Sequence, residues 1–152
     1  MTENAMDIYQ RNLDEVAQAI WEKNFEAALA HFAFPKHMAT PDADVTIHEP
    51  EAMLQALAEL RESLSRIGAT AFLRICKEAV FDPRDEDRII GSHVSYVLRG
   101  GTNVVPPYTS RMVLVRKTDG WKSVDIVSEA SNRYLTVIGP DIALGHRTPR
   151  EG

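Results

Sequence analysis

The chain has 152 residues, a length that fits one domain built around a single hydrophobic core. Hydrophobic residues at 44% and charged residues at 26% are typical of a soluble globular protein. The 17 lysines and arginines are outnumbered by 22 aspartates and glutamates, and the resulting formal net charge of -5 argues against a broad nucleic-acid-binding surface.

Cysteine content and hydropathy limit the cellular setting. Cys76 is the one cysteine, which excludes an intramolecular disulfide and zinc sites built from several cysteines. Residues 1–15 are polar and acidic, unlike a signal peptide, and no apolar run approaches the roughly 20 residues of a membrane span. We therefore predict a cytoplasmic protein that contacts neither membrane nor nucleic acid and carries no cofactor.

Helical periodicity predicts three helices in the N-terminal half. Apolar residues recur at helical spacing between Thr2 and Trp21. A short second helix follows and ends at Pro35. Its inner face would consist of Phe25, Ala28, Leu29 and Phe32. A third helix begins at Pro50, since proline suits the first helical position, and stops at Gly68.

After the third helix the apolar period changes to two, which predicts four long strands. They are Ala69–Phe81, Arg88–Arg99, Tyr108–Lys117 and Trp121–Ala130. The connections DPRDED, GGTNVVPP and TDG are rich in turn residues. This order indicates an α+β domain, with three N-terminal helices on a strongly bent, mainly antiparallel sheet. We place the domain at residues 1–138 and a C-terminal tail at residues 139–152.

The segment PKHMATPDADVTIH, residues 35–48, suggests either a metal site or a turn. Pairing Thr40 with Val45 makes it a short hairpin that brings His37 opposite His48. Two imidazoles without a third ligand do not make a tight zinc site, and the two aspartates of the segment lie at its far end. We therefore predict a surface hairpin without a metal.

The order of these elements resembles the NTF2-like, or SnoaL-like, superfamily of cone-shaped α+β domains, over about residues 6–130. The best local feature is VLVRKTDGWKSV, a strand, a tight Asp-Gly turn and a Trp that opens the last strand. The segment KNFEAALAHF before the hairpin is also similar. The resemblance implies an NTF2-like cone, but the superfamily includes steroid isomerases, polyketide cyclases, epoxide hydrolases, dehydratases and non-catalytic domains.

Two specific activities of that superfamily lack their motifs here. The resemblance would place an aspartate base of a steroid isomerase soon after the second helix, where this chain has FPKHMATP. The Asp-Arg-Asp arrangement of the epoxide hydrolases is not visible in the strands either. The resemblance therefore implies a shape without implying a reaction.

Strand register predicts which side chains face the helices. Pairing Val80 with Ile89 across the first turn sets Ile75 opposite Val94. Pairing Lys117 with Trp121 across the TDG turn sets Met112 opposite Ile126. The join between the second and third long strands is assumed, because their long loop does not fix the register. The more apolar face should be covered by the helices. It carries Ala71, Leu73, Ile75, Val94, Tyr96, Leu98, Tyr108, Ser110, Met112, Leu114, Val124, Ile126 and Ser128.

The opposite face is mixed, with a Val-rich centre. It carries Phe72, Arg74, Cys76, Glu78, Val80, His93, Ser95, Val97, Arg111, Val113, Val115, Asp125 and Val127. A half-apolar sheet face without helices on it is usually a protein contact, and the resemblance also implies a homodimer through this face. We therefore predict a homodimer.

The inner face is predicted to form a ligand pocket, and a filled core is the alternative. The ligand-binding residues would be Tyr96, Tyr108, Ser110, Met112, Ser128, Trp21, Phe25 and Phe32. Apolar walls with a few hydroxyls suit a small hydrophobic molecule. The catalytic residues are unknown; Asp125 and His93 are weak candidates for an acid/base pair, although the register points both outward.

Two functions follow from these patterns. The first is a homodimer that binds a small apolar ligand without a committed catalytic set. The second is an isomerase, lyase or hydrolase that acts on a small hydrophobic substrate by acid/base catalysis. A polar dyad that points into the cavity would favour the enzyme, and a cavity with hydroxyls alone would favour the binding protein.

Overall fold

The computed structural model describes residues 3–130 and 135–138. The helices are α1 (Ala5–Trp21), α2 (Phe25–Leu29) and α3 (Pro50–Arg66). The strands are β1 (Phe32–Thr40), β2 (Ala43–Ile47), β3 (Ala71–Asp82), β4 (Asp85–Arg99), β5 (Thr102–Asn103), β6 (Tyr108–Lys117) and β7 (Gly120–Ser128). The predicted tail, residues 139–152, lies outside the described residues, so the domain boundary stays a prediction.

Local sequence sets the helix ends. The Asn4 side chain caps α1 by accepting a hydrogen bond of 2.8 Å from the Asp7 backbone N–H. Pro50 starts α3 at a position where its missing N–H costs no helical bond. Gly68, with φ of 76°, takes the left-handed conformation that ends it. The prediction that Phe32 belongs to the second helix is wrong, because Phe32 starts β1.

The strands form one mixed sheet in the order β2-β1-β7-β6-β4-β3, with β5 beside β4. The β1–β7 pair is parallel, and the other pairs are antiparallel. Parallel pairing of β1 with β7 brings the first strand of the chain next to the last, so residues far apart in sequence meet on one sheet face. The predicted α+β class is confirmed. None of the helices in the described residues has the length and apolar composition of a membrane span.

The β1–β2 hairpin is tighter than the turn residues suggested. Thr40 pairs with Ala43, so the turn contains two residues, and His37 lies opposite Thr46. The predicted pairing of Thr40 with Val45 is therefore wrong by two positions. An even shift leaves the two faces of a hairpin unchanged, and Val45 accordingly faces the core.

Most side chains of β3 and β4 lie on the opposite sheet face from the one predicted. The predicted pairings of Ile75 with Val94 and of Met112 with Ile126 are confirmed. The predicted pairings at the turns are wrong by one position, because Val80 pairs with Ile90 and Lys117 with Gly120, and a bulge in each strand pair restores the predicted register. The assumed join between β4 and β6 is wrong, because His93 lies opposite Ser110 and shares its face. In consequence Ile75, predicted to face the helices, is 43% exposed.

The side chains of β4 and of β3 up to Cys76 that were assigned to a face by that join change sides, whereas Glu78 and Val80 stay on the outer face because a bulge follows Cys76. The side chains buried beneath the helices include Phe72, His93, Ser95 and Val97, which were predicted to lie outside. A bulge in β7 also replaces Val124 with Ser123 opposite Leu114, so Ser123 is fully buried. The wrong register between β4 and β6 thus exchanged the predicted faces of β4 and of the first half of β3.

Helix α1 packs across β3 and β4 through a close contact between Tyr9 and Gly91. A Cβ atom added at Gly91 would lie 2.6 Å from Cε2 of Tyr9 and 2.8 Å from the carbonyl oxygen of Glu78. Tyr9 is fully buried there, packed with Leu13 and Ile89. Only glycine leaves room for this ring, so Gly91 sets the depth at which α1 lies on the sheet.

Candidate functional site

A cavity of about 70 Å³ lies between the helices and the inner face of the sheet. Most of the lining side chains are apolar and come from α1, α3 and the strands. The polar lining residues are Asn12, Lys36, Arg74, Ser95, Tyr108, Ser110, Ser123 and Ser128. No Asp or Glu occurs among the described residues of the lining. The polar side of the cavity is therefore rich in hydrogen-bond donors and in positive charge.

Lys36 enters the cavity from β1. It shares a strand face with Met38 and is 2% exposed. Its Nζ atom lies 2.7 Å from Oγ of Ser123, and 4.9 Å from the centre of the Phe32 ring. Burial lowers the pKa of Lys36 to about 7; the Arg74 charge acts in the same direction and the Asp125 charge opposes it. The amine can therefore exchange its proton near neutral pH.

Arg74 enters the cavity from β3. Its Nη2 atom lies 3.2 Å from Nε2 of His93 on the neighbouring strand. It forms no ion pair with any carboxylate in the described part of the chain. Burial lowers the pKa of Arg74, whereas the Tyr108, Tyr9 and Asp14 groups raise it. A guanidinium stays charged after such a shift, so Arg74 places a full positive charge at the cavity.

His93 orients Arg74 from within the core. It is fully buried, and its Nδ1 atom lies 2.6 Å from Oη of Tyr9. A guanidinium only donates hydrogen bonds, so Nε2 must accept from Arg74 and the imidazole proton must lie on Nδ1. Burial, together with the charges of Arg74 and Lys36, lowers the pKa of His93 to about 2. His93 is therefore a neutral link between Tyr9 and Arg74.

The remaining polar groups of the cavity differ in whether they are already bonded. Ser110 and Ser128 bond to each other, with 2.8 Å between their Oγ atoms. Asn12 is 5% exposed, and its Nδ2 atom has no hydrogen-bond partner among the residues that the structure describes. Burial raises the pKa of Tyr108, which keeps its hydroxyl protonated. Asn12 thus presents an unused donor in a region where unpaired polar atoms are rare.

The two weak catalytic candidates do not meet. Asp125 lies on the outer side, where its Oδ1 atom is 3.0 Å from Nδ1 of His37, and Nε2 of His37 is 2.8 Å from Oδ1 of Asp44. The prediction that His93 also lies outside is wrong, so a sheet separates it from Asp125. In the described residues no three His, Cys, Asp or Glu side chains come together as metal ligands.

The predicted ligand-binding residues are distributed over three places. Those that line the cavity are Phe32, Tyr108, Ser110, Met112 and Ser128. Tyr96 lies on the outer face opposite Leu73, so its predicted inward position is wrong. Phe25 packs against the core beside the cavity, and Trp21 lies at a surface cleft under the Arg61 guanidinium, 4.1 Å from the ring centre. Their roles in binding stay predictions.

Sequence reasoning missed Lys36, Arg74 and Asn12. Lys36 lies two residues before Met38, so extending the predicted hairpin strand backwards would have placed it on the inner face. Arg74 alternates with Phe72, but it was assigned to the outer face together with the rest of its strand. No sequence pattern distinguished Asn12 from the other polar residues of α1.

Comparisons with known proteins support the fold. No family model and no curated protein matches the chain. Among solved structures, an NTF2-like protein with a cystatin-like fold from Novosphingobium aromaticivorans is 14% identical, with a TM-score of 0.61 over 91% of this chain and 86% of that one. A scytalone dehydratase-like protein from the same species is 13% identical, with a TM-score of 0.60 over 83% of each chain.

A third similar structure is described as a dehydratase from the NTF2-like family of Streptomyces avermitilis. It is 14% identical, with a TM-score of 0.59 over 82% of this chain and 96% of that one. At such identities the likeness concerns the fold alone. The chain has the NTF2-like fold, so the cone-shaped α+β fold that the resemblance implied is confirmed.

Proposed function

We propose that this chain binds a small, mainly apolar molecule in the cavity between its helices and its sheet. The observation that carries the proposal is an internal space walled mostly by apolar side chains, with a few polar groups converging on it. Three of the side chains that line the cavity are Met38, Met53 and Met112. Methionine side chains are flexible and polarizable, so a ligand larger than the present space can be accommodated by their movement.

The methionines also provide the test. We would label their methyl groups with ¹³C and titrate the protein with toluene, a neutral molecule of suitable size. The methyl resonances of Met38, Met53 and Met112 should shift together, whereas that of Met6, 44% exposed on α1, should not. A response confined to Met6, or no response at saturating toluene, would contradict the proposal.

Acid/base catalysis is a second candidate function, favoured by Lys36. Charged groups as well as hydroxyls line the cavity, and a buried amine with a pKa of about 7 is suited to proton abstraction. The similar structures described as dehydratases also support a catalytic member of this fold. The neutral Lys36 amine would take a proton from a carbon next to a carbonyl group.

That candidate is tested with cyclohexanone in D₂O. The rate at which its α-protons exchange for deuterium, followed by NMR, should exceed the buffer rate and increase as pH rises through 7. Lys36→Met should abolish the excess rate, and Lys77→Met, which removes an exposed lysine of β3, should not. An excess rate that survives Lys36→Met would assign the exchange to another group.

We also propose that the protein is a homodimer and is located in the cytoplasm, as its sequence predicts. The outer sheet face supports the dimer, since its exposed large apolar side chains lie on β3 and β4. These are Leu73, Ile75, Val80 and Ile90. A face of this kind is typical of a contact between protein chains.

A further inference from the structure

The cavity holds two positive side chains, and none of its described lining residues is an acid. Lys36 and Arg74 lie on different strands, and neither forms an ion pair with a carboxylate of the described chain. A buried positive charge without a partner is costly, because water no longer solvates it. Lys36 is buried and Arg74 is partly buried, and two cations on one small cavity indicate that their partner comes from outside the chain.

From this arrangement we infer that the ligand carries a carboxylate, bound by Arg74 and Lys36 and contacted by Asn12. The inference rests on the proposed function and adds the chemical class of the ligand. Carboxylate oxygens only accept hydrogen bonds, and a guanidinium matches them with two parallel donors. The apolar walls then take the rest of the molecule.

Asn12 is an independent observation that points to the same ligand. Its Nδ2 atom is buried and has no hydrogen-bond partner in the described part of the chain, although the side chain lines the cavity. A buried donor left unpaired costs free energy, and an acceptor oxygen of a bound ligand would remove that cost. The two cations and the unpaired amide donor would therefore all be satisfied by the same kind of ligand atom, an oxygen that accepts hydrogen bonds.

The position of Arg74 is prepared before any ligand enters. Nε2 of His93 accepts from Nη2 of Arg74 at 3.2 Å, and Tyr9 holds the other imidazole nitrogen at 2.6 Å. All of Tyr9 and His93 is buried, so the link is held by the packing of α1 on the sheet. His93 uses one guanidinium nitrogen, and the remaining N–H groups of Arg74 stay available for a carboxylate. His93 is thus a positioning residue for the anion site.

The size of the space restricts the ligand to a small acid. A cavity of about 70 Å³ is below the usual volume of sites for drug-sized molecules, so even with movement of the lining methionines we expect a ligand of about one ring with one carboxylate. Benzoate and its neutral isostere benzamide form a matched pair for this purpose. They have the same ring and nearly the same shape, and they differ in the charge that the inference requires.

The experiment measures both affinities through the methionine methyl resonances. Benzoate should bind the unmodified protein at least tenfold more tightly than benzamide at pH 6.5. Arg74→Gln should lower benzoate affinity at least tenfold and change toluene affinity less than twofold. Arg111→Gln is the matched control, because it removes the same charge from the outer face and should leave benzoate affinity unchanged.

A second variant keeps the inference testable if Arg74→Gln does not fold. Lys36→Met removes the other cation with an apolar side chain of similar length, and it should also weaken benzoate relative to benzamide. Equal binding of benzoate and benzamide would overturn the carboxylate inference, and toluene binding would then still support the proposed function. Failure of toluene, benzoate and benzamide alike would overturn both.

Discussion

Nη2 of Arg74 and Nε2 of His93 lie 3.2 Å apart, which joins two neighbouring strands on the inner face of the sheet. Since arginine only donates, this contact requires a histidine that is neutral at Nε2. The same pair could not reach the cavity if the two side chains pointed outward, as the assumed register between β4 and β6 implied. Their inward position changes the site from an apolar pocket with hydroxyls to one with a prepared positive charge.

The pKa values of two histidines should be shifted in opposite directions. Burial lowers the pKa of His93 to about 2, whereas hydrogen bonding to Asp125, with a further contribution from Asp44, raises the pKa of His37 against partial burial. In ¹H–¹⁵N NMR spectra between pH 5 and 8, His93 should show an unchanged neutral Nδ1–H form. His37 should titrate above its usual pKa of about 6.5.

Asp125→Asn is the control for the second histidine. It should lower the pKa of His37 and leave the spectrum of His93 unchanged, because the sheet separates the two sites. The stability that the His37 pair contributes is present below the usual histidine pKa and is lost as pH rises through the raised one. A His93 signal that titrated near pH 6 would contradict the assigned contact with Arg74.

Replacing Lys36 with Met should change how stability depends on pH. The folded pKa of about 7 lies below the ordinary lysine value of 10.5, so between these values the unfolded chain binds more protons. The unfolding free energy of the unmodified protein therefore gains up to about 1.4 kcal/mol per pH unit from Lys36. Arg74 and His93 face the amine from the sheet, and Asp125 acts on it from the outer side.

Urea unfolding at pH 6, 7.5 and 9 measures that dependence. Lys36→Met should increase the unfolding free energy most at pH 6, and this increase over the unmodified protein should become smaller as pH rises above 7. The difference in unfolding free energy between Lys77→Met and the unmodified protein should stay constant over the same pH range, since Lys77 is exposed. A constant difference for Lys36→Met as well would show that its amine is not perturbed by burial.

Gly91→Ala should destabilise the fold by about 1–3 kcal/mol, because the new methyl group overpacks the contact with Tyr9. The added Cβ would lie 2.6 Å from the tyrosine ring, and the backbone of β3 prevents it from moving away. Gly101→Ala is the matched control, since no atom lies within 4 Å of a Cβ at that position. Thermal unfolding followed by circular dichroism compares the two, and equal melting temperatures would contradict the packing described.

The outer sheet face should associate two copies of the chain. Sedimentation equilibrium at micromolar concentration should give twice the 17.0 kDa chain mass. Ile75→Lys and Val113→Lys should each weaken association at least tenfold, because a charge would lose its water in an apolar contact. Gln55→Lys adds the same charge to an exposed position on α3 and should leave the mass unchanged. A monomeric unmodified protein would contradict the dimer.

Local physical chemistry made much of the fold predictable. The helix limits at Pro50 and Gly68, the strand periodicity and the pairings of Ile75 with Val94 and of Met112 with Ile126 all depend on neighbouring residues or on short turns. The resemblance to the NTF2-like superfamily followed from the order of these elements. Side chains of β6 that were expected inside, such as Met112 and Leu114, are buried.

The sequence by itself determined the element order and the strand periodicity, because these are recorded in residues close together along the chain. Only the tertiary structure decided which face of β3 and β4 meets the helices. The loop GGTNVVPP allows either register, and a shift of one residue exchanges all side chains between the faces. Hydrophobicity did not resolve this choice, since the set that faces the helices contains Arg74 and His93 and the exposed set contains Leu73 and Ile75. The parallel pairing of β1 with β7 likewise brought Lys36 to Ser123 across the length of the chain, a contact that no local pattern specifies.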